Sequence, residues 1–165
     1  MNKIDRQRTF TWENPMIGAT EGAKMTGTQY LEAMKKRELP LPPVFEMMDV
    51  TEIEIEAGRV AFYFTPAEFH YNPIGTVHGG VISTLLDSAM GCTLHSLLPV
   101  GVGYTTLELK VNFLRPVTVK TGRMICVGKV INQSARLGLA EAQLIDEAGK
   151  IYAHATSTCM IIGHK

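Results

Sequence analysis

One long apolar segment dominates the chain and predicts a buried helix from about Gly79 to Leu97. Apolar residues fall on nearly every side of this helix: Val81, Ile82, Leu85, Leu86, Ala89, Met90, Leu94, Leu97 and, just beyond it, Leu98. A helix that is apolar all round is normally buried in a protein core. Pro99 then predicts the end of the helix, because proline cannot continue the hydrogen-bonding pattern.

Apolar residues with a period of two predict strands on both sides of this helix. Before it, Ile53 and Ile55 alternate with glutamates, and after a turn at Gly58 a second alternating run ends at Phe64, which is typical of a hairpin. After it, four strands are expected, the first with Leu107, Leu109, Val111 and Phe113 on one face and the others at 123–131, 139–145 and 151–161. Short connections favour a mostly antiparallel sheet, and the sheet must wrap the helix. The predicted class is therefore α+β.

The first 43 residues are expected to form an N-terminal extension, and residues 44–165 the main domain. Residues 1–27 are polar and rich in glycine. A short helix is predicted from Thr28, which can cap it, to Arg37, because basic residues near its end suit the helix dipole. Prolines at 40, 42 and 43 end this helix.

Composition narrows the class of protein. Sixteen basic and sixteen acidic residues balance, which argues against a nucleic-acid or membrane-surface partner. Three scattered cysteines indicate reduced thiols and a cytoplasmic protein. The chain shows neither a signal peptide nor a membrane-spanning run, and its histidines lack metal-ligand spacing, so neither metal nor cofactor is expected.

Asp87 is the strongest candidate for chemistry. It is the only charged residue between Glu68 and Glu108. Removing an ionised carboxylate from water costs several kcal/mol unless partners satisfy it, so a catalytic role is favoured. The alternative is a structural aspartate bonded to Ser83 or Thr84 within one helical turn.

The sequence His78-Gly79-Gly80 begins the predicted helix. Backbone N–H groups at a helix N-terminus have no intrahelical partner and favour negative charge. The Gly79 N–H is therefore predicted to bind the oxyanion of a reacting carbonyl, with Gly80 contacting the substrate beside it. The alternative is that both glycines only permit a tight turn and close packing.

These motifs resemble those of the hotdog-fold acyl-CoA thioesterases, in particular the PaaI-like group of the phenylacetate pathway. The resemblance covers residues 44–162 and includes Asn72, six residues before His78, Asp87, nine residues after it, and the segment Asn112-Phe-Leu-Arg115-Pro116. It implies hydrolysis of an acyl-CoA thioester in a site shared by two subunits of a homodimer or dimer of dimers. It also implies that Asp87 is the nucleophile or the general base, and it leaves the acyl group open.

Three further residues are candidates for this site. Asn72 could donate to the substrate carbonyl or hold Asp87, or it could form an Asx turn before Pro73. His78 is expected to orient the loop. Thr105 matches a position where related enzymes place a hydroxyl that holds the attacking water, although it could be an ordinary strand threonine.

Coenzyme A carries three phosphates and needs basic partners. Six basic residues and no acidic residue lie between Glu108 and Glu141. Arg136, in a predicted turn, and Arg115, at a strand end, are the favoured contacts, because such positions present guanidinium groups freely. The alternative is that these residues only line solvated strand faces.

Two other functions stay open at this stage. One is a hydratase or dehydratase of the same fold that acts on acyl thioesters. The other is a non-catalytic acyl-CoA-binding protein, although residues 1 to 40 lack the two-helix pattern of the DNA-binding segment that usually accompanies one.

Overall fold

The computed structural model describes residues 6–163, which form a six-stranded antiparallel sheet around one long helix. The helices are α1 (Pro15–Gly22), α2 (Gly27–Lys35), α3 (Pro43–Met48) and α4 (Gly79–His95). The strands are β1 (Val50–Glu56), β2 (Arg59–Phe64), β3 (Val102–Phe113), β4 (Met124–Gln133), β5 (Leu137–Asp146) and β6 (Ile151–Gly163). Their order in the sheet is β1-β2-β4-β5-β6-β3, so β1 and β3 are the edge strands. The predicted α+β class, with one helix wrapped by an antiparallel sheet, is confirmed.

Helix α4 packs closely against one face of the sheet. A Cβ on Gly128 of β4 would lie 2.5 Å from both the Ala89 carbonyl oxygen and Thr93 Oγ1, so only glycine lets the strand approach the helix this far. Thr93 Oγ1 also accepts a hydrogen bond of 3.1 Å from the Val60 backbone N–H of β2. These contacts fix the rotation of α4 and therefore the direction of every side chain on it.

Helix α4 is not covered on all sides, in contrast to the sequence prediction. Ser83, Thr84, Asp87 and Ser88 are only partly buried and form a polar stripe along one side of the helix. Residues three and four apart share one face of a helix, and β3 covers this face only in part, where Thr106 reaches Asp87. The candidate carboxylate therefore reaches solvent in the single chain.

A bulge in β3 changes which residues face the core. The pairing of β3 with β6 shifts between Thr106 and Glu108. Leu107 is consequently 56% exposed, whereas Leu109 packs against the core. The predicted common face for Leu107 and Leu109 is wrong, because one extra residue in a strand reverses the alternation beyond it.

The N-terminal extension is docked onto the domain. Helix α2 begins at Gly27, one residue earlier than predicted, and Thr26 rather than Thr28 caps it, in a capping box with Gln29. Leu31 and Met34 are almost completely buried in the main core. Helices α1 and α3 were not predicted. The division at residues 43 and 44 stays a prediction.

The three cysteines are free thiols. Cys126 and Cys159 are buried, and Cys92 is half-buried on α4. Burial, and to a smaller degree the nearby Asp87 carboxylate, raise the pKa of the Cys92 thiol to about 12. Burial also raises the pKa of the Cys126 thiol. In the described part of the chain, no helix is both long enough and apolar enough to span a membrane.

Candidate active site

The Asp87 carboxylate is held by a threonine of β3. Thr106 Oγ1 donates a hydrogen bond of 2.9 Å to Asp87 Oδ1. Neither Ser83 nor Thr84 contacts Asp87 in this way, because their hydroxyls donate to the Gly79 and Gly80 carbonyl oxygens one turn earlier. The structural alternative for Asp87 therefore does not describe this helix.

Thr106, and not the predicted Thr105, is the threonine whose hydroxyl faces the candidate site. Thr105 is exposed, whereas Thr106 is directed toward α4. The strand bulge explains the error, since counting back from Leu109 with strict alternation selects the wrong threonine. Only a sequence signal for the bulge could have identified Thr106, and the segment Thr106-Leu107-Glu108 contains neither glycine nor proline.

Buried polar groups hold the bulge in place. Ser157 of β6 is fully buried, and its hydroxyl donates a hydrogen bond of 2.8 Å to the Glu108 carbonyl oxygen. The Cys159 sulfur lies 4.0 Å from Thr106 Oγ1 and 3.7 Å from Ser157 Oγ. The hydroxyl on Asp87 is thus positioned by a packed network rather than by a flexible surface chain.

The N-terminus of α4 leaves one backbone donor free. His78 caps the helix, and its Nδ1 accepts a hydrogen bond of 2.8 Å from the Gly80 N–H. Among residues 6–163, no group accepts a hydrogen bond from the Gly79 N–H. The Gly79 N–H can therefore donate to a ligand, whereas the Gly80 N–H is occupied by His78. The orienting role of His78 stays a prediction.

A loop packed on a buried histidine supports this helix start. The His78 N–H donates a hydrogen bond of 2.8 Å to the His70 carbonyl oxygen. Burial lowers the pKa of His70, whose Nδ1 accepts from the Ala67 N–H at 3.1 Å. His70 therefore stays neutral near pH 7 and acts as a fixed part of the loop.

Asn72 is engaged within its own loop. Its Oδ1 accepts hydrogen bonds from the backbone N–H groups of Ile74 (3.0 Å) and Thr76 (3.1 Å), and its Nδ2 donates to Thr76 Oγ1 at 2.9 Å. This is the Asx-type turn that was the alternative to a catalytic role. Asn72 does not contact Asp87 in the single chain.

A pocket of about 360 Å³ joins several of the predicted residues. Asn72, Gly79, Phe113 and Arg115 line it. A Cβ on Gly79 would lie 3.1 Å from Phe113 Cζ, so a side chain there would crowd the pocket. Arg115 borders the same space and donates a hydrogen bond to the Ile151 carbonyl oxygen.

The structure does not bring Arg136 to this pocket. Arg136 is exposed in the turn between β4 and β5. The neighbouring Gly138 packs against Leu94, near the C-terminal end of α4, whereas Arg115 lies near its N-terminal end. The two arginines therefore lie at opposite ends of the helix within one chain.

The Gly79 donor and the Asp87 carboxylate are also separated. Asp87 lies eight residues after Gly79 on the same helix, which is about 12 Å along its axis. A single reacting carbonyl cannot contact both groups of one chain. Each chain thus offers two half-sites, one built around the Gly79 pocket and one around the bonded pair of Asp87 and Thr106.

In the described part of the chain, no three histidine, cysteine, aspartate or glutamate side chains are grouped closely enough to hold a metal ion. The chemistry available at the two half-sites is that of a carboxylate, a hydroxyl and backbone donors.

Comparisons with known proteins show which proteins this chain resembles. Residues 74–153 match the model of the Thioesterase superfamily, a range that includes Gly79, Asp87 and Thr106. Acyl-coenzyme A thioesterase 13 of Homo sapiens is 28% identical over 115 residues, which cover 66% of this chain and 77% of that protein.

Two solved structures show similar architecture. A thioesterase family protein from Silicibacter pomeroyi has a TM-score of 0.73 and 27% identity, covering 84% of this chain and 99% of that chain. A phenylacetic acid degradation-related protein from Ralstonia eutropha JMP134 has a TM-score of 0.72 and 27% identity, covering 79% and 98%.

Proposed function

Because the chain carries a domain of the thioesterase superfamily, we propose that it hydrolyses acyl-CoA thioesters to a free acid and coenzyme A. The prediction of a thioester hydrolase is confirmed at the level of the superfamily. The observation that carries the proposal is the Asp87 carboxylate, fixed by Thr106 on the open face of α4. This arrangement supports hydrolysis more directly than it supports hydration or binding without catalysis.

The carboxylate can act in two ways. As a general base, Asp87 takes a proton from water, the resulting hydroxide attacks the thioester carbonyl, and coenzyme A leaves as the thiolate. As a nucleophile, Asp87 attacks the carbonyl itself, the thiolate leaves, and water hydrolyses the resulting anhydride. Thr106 occupies only Oδ1, and among residues 6–163 nothing donates to Oδ2, so that oxygen is free for either role.

The Gly79 N–H is the proposed oxyanion donor. It lies at the positive end of the α4 dipole and borders the pocket next to Arg115. A backbone donor already directed at the developing oxygen stabilises the transition state without reorganisation.

The separation of about 12 Å between Gly79 and Asp87 supports a site built from two chains. Edge strand β3 is 12 residues long, and Leu107 and Phe113 on it are exposed. A second copy paired along this edge would cover these side chains and form a two-fold interface. In the proposed homodimer, or in each half of a dimer of dimers, one chain provides Gly79 and the other provides Asp87.

The proposed phosphate contacts fit this arrangement. Arg115 borders the Gly79 pocket, and Arg136 lies two residues before Gly138, which packs against Leu94 near the C-terminal end of α4. In a two-fold site, the two arginines would come from different subunits and flank one bound coenzyme A.

A thiol-release assay over short, medium, long and aromatic acyl-CoAs tests the function directly.

The Asp87→Asn variant keeps the size of the side chain and the Thr106 contact but removes the charge. We expect turnover to fall by about 10² to 10⁴, the usual effect of losing a general base or nucleophile.

The control variant is Glu108→Gln, which neutralises an exposed carboxylate two residues from Thr106. Its turnover should match that of the wild type. A folded Asp87→Asn variant with near-native turnover would exclude Asp87 as the reacting group, and a wild type that binds acyl-CoA without releasing thiol would favour a binding protein.

A further inference from the structure

Residues 6–10 form an N-terminal arm that lies on the turn Glu68–His70, which precedes the Gly79 pocket in the chain. Alternate residues of the arm contact this turn, in the pairs Arg6 with Glu68, Arg8 with Phe69, and Phe10 with Phe69. Both the arm and the turn precede residues 74–153, the range that matches the Thioesterase superfamily. Membership of that family therefore does not explain why they are in contact.

Arg8 joins this turn to α3. Its guanidinium carbon lies 4.2 Å from the ring centroid of Phe69 and 5.1 Å from that of Phe10. Its two terminal nitrogens donate hydrogen bonds of 2.7 Å and 3.4 Å to the two carboxylate oxygens of Asp49. Asp49 is itself fixed at the end of α3, where its backbone N–H donates to the Phe45 carbonyl oxygen. A guanidinium that is both stacked on a ring and paired with two oxygens is held in one orientation, unlike that of a simple surface ion pair.

Phe69 transmits this restraint to the start of α4. Its ring centroid lies 4.0 Å from that of His70. Because His70 Nδ1 accepts a backbone hydrogen bond, Nε2 carries the proton and can donate to the Met47 carbonyl oxygen of α3, 3.4 Å away. The His70 carbonyl oxygen in turn accepts the hydrogen bond of 2.8 Å from the His78 N–H. His70 therefore connects both Phe69 and α3 to the residue that precedes Gly79.

We propose that Arg8 is a positioning residue for the Gly79 N–H. By holding Phe69 against His70, it fixes the hydrogen bond that orients the backbone of His78. The peptide that joins His78 to Gly79 is planar, so the orientation of His78 sets the direction of the next N–H. A backbone donor is effective only if it is already directed at the developing oxyanion. The inference rests on the proposed thioesterase function and on the oxyanion role of Gly79.

The loop keeps its path when Arg8 is replaced, because other contacts hold its remaining side. The Val77 N–H donates a hydrogen bond of 2.8 Å to the Val117 carbonyl oxygen. Tyr71 Oη accepts another of 2.8 Å from the Val119 N–H. Loss of Arg8 is therefore expected to disturb the orientation of the helix start rather than the fold.

The first test compares kcat and KM of three variants of the full chain. In Arg8→Ala, kcat should fall about tenfold, a part of the 10²- to 10³-fold cost of losing one oxyanion donor. KM should change by less than about twofold, because the lost restraint acts only in the transition state. Arg8→Lys can pair with Asp49 but lacks the planar group, so it should recover part of kcat. Arg6→Ala, which removes an exposed ion pair of the same arm, is the control and should keep the native kcat.

The second test asks whether Arg8 acts through the Gly79 N–H. Gly79→Pro removes this N–H, so adding Arg8→Ala to it should lower kcat no further. Gly79→Ala keeps the N–H, so adding Arg8→Ala should again lower kcat about tenfold. A merely structural role of Arg8 would lower kcat by the same factor in both backgrounds.

Circular dichroism and thermal unfolding identify the variants that fold, and Arg8→Lys gives the same comparison if Arg8→Ala does not. Native kcat in folded Arg8→Ala, or an equal effect in the two Gly79 backgrounds, overturns the positioning proposal and leaves the thioesterase function standing. A change confined to KM overturns it equally, since that result indicates a contact with substrate. If the wild type releases no thiol from any acyl-CoA, the proposed function fails, and the role of Arg8 fails with it.

Discussion

At the scale of single residues, the most direct test concerns the Gly79 N–H. Gly79 is the first residue of α4, where proline is tolerated, and His78 before it has φ −60° and ψ 136°, which suit a residue preceding proline. Gly79→Pro therefore removes the donor with little change to the helix start. Gly79→Ala is the matched control, because its Cβ crowds Phe113 in the same way but the N–H stays.

We expect turnover of Gly79→Pro to be about 10² to 10³ lower than that of Gly79→Ala, the usual cost of losing one oxyanion donor. Circular dichroism should show the same helix content in both variants. Equal turnover in the two variants would mean that Gly79 contributes only to packing.

The two arginines differ in their expected effects on substrate binding. Replacing Arg115 or Arg136 by alanine should raise KM for acyl-CoA about tenfold or more, since hydrogen bonds to charged groups contribute about 1.5–3 kcal/mol. The same acyl group on a short uncharged thiol lacks the phosphates and should show little change. Lys129→Ala, an exposed cation within β4, is the control. Equal changes with both kinds of thioester would argue against phosphate binding.

At the scale of elements, the bulge of β3 decides which threonine serves Asp87. Thr106→Val removes the hydroxyl bonded to Asp87 and keeps the branched shape, so turnover should fall about 10- to 100-fold. Thr105→Val is an equivalent change on the exposed side and should leave turnover unchanged. The reverse result would show that β3 of the working enzyme pairs with β6 in a different register.

The elements and the site differ in how far the sequence predicts them. The sequence locates the first hairpin by the alternation of isoleucines with glutamates, and it locates α4 by its apolar run. Both patterns are visible because burial of one face imposes a characteristic period on a strand or a helix. The strand order depends on pairing between distant segments, and α1 and α3 are too short to show a clear period. Asp87 is recognisable in the sequence as an isolated charge, and Gly79 as part of a glycine pair. The position of Thr106 is set by the register of β3 with β6, and the local sequence carries no signal for it.

At the scale of the whole molecule, the proposed two-chain site would make activity a property of pairs of chains. Asp87→Asn and Gly79→Pro subunits should each be inactive alone. When they are unfolded together and refolded, about half of the dimers are mixed, and each mixed dimer has one intact site of two. Activity should then recover to about a quarter of the native value.

The measurement requires proof that mixed dimers form, for example by mass spectrometry of two differently tagged subunits. Mixed dimers without recovered activity would place Gly79 and Asp87 in the site of the same chain and would contradict the two-chain model. Separately refolded variants, combined only afterwards, provide the background.

The buried thiols have a practical consequence for all these assays. Thiol reagents react with the thiolate form, and burial holds the pKa of Cys92 at about 12 and raises that of Cys126. Cys159 is also buried and closed to the reagent. The native protein should therefore give no signal while a colorimetric reagent measures the coenzyme A that is released. Once the chain opens, its own cysteines begin to react, so a slow rise of signal without substrate measures the unfolded fraction in the same cuvette.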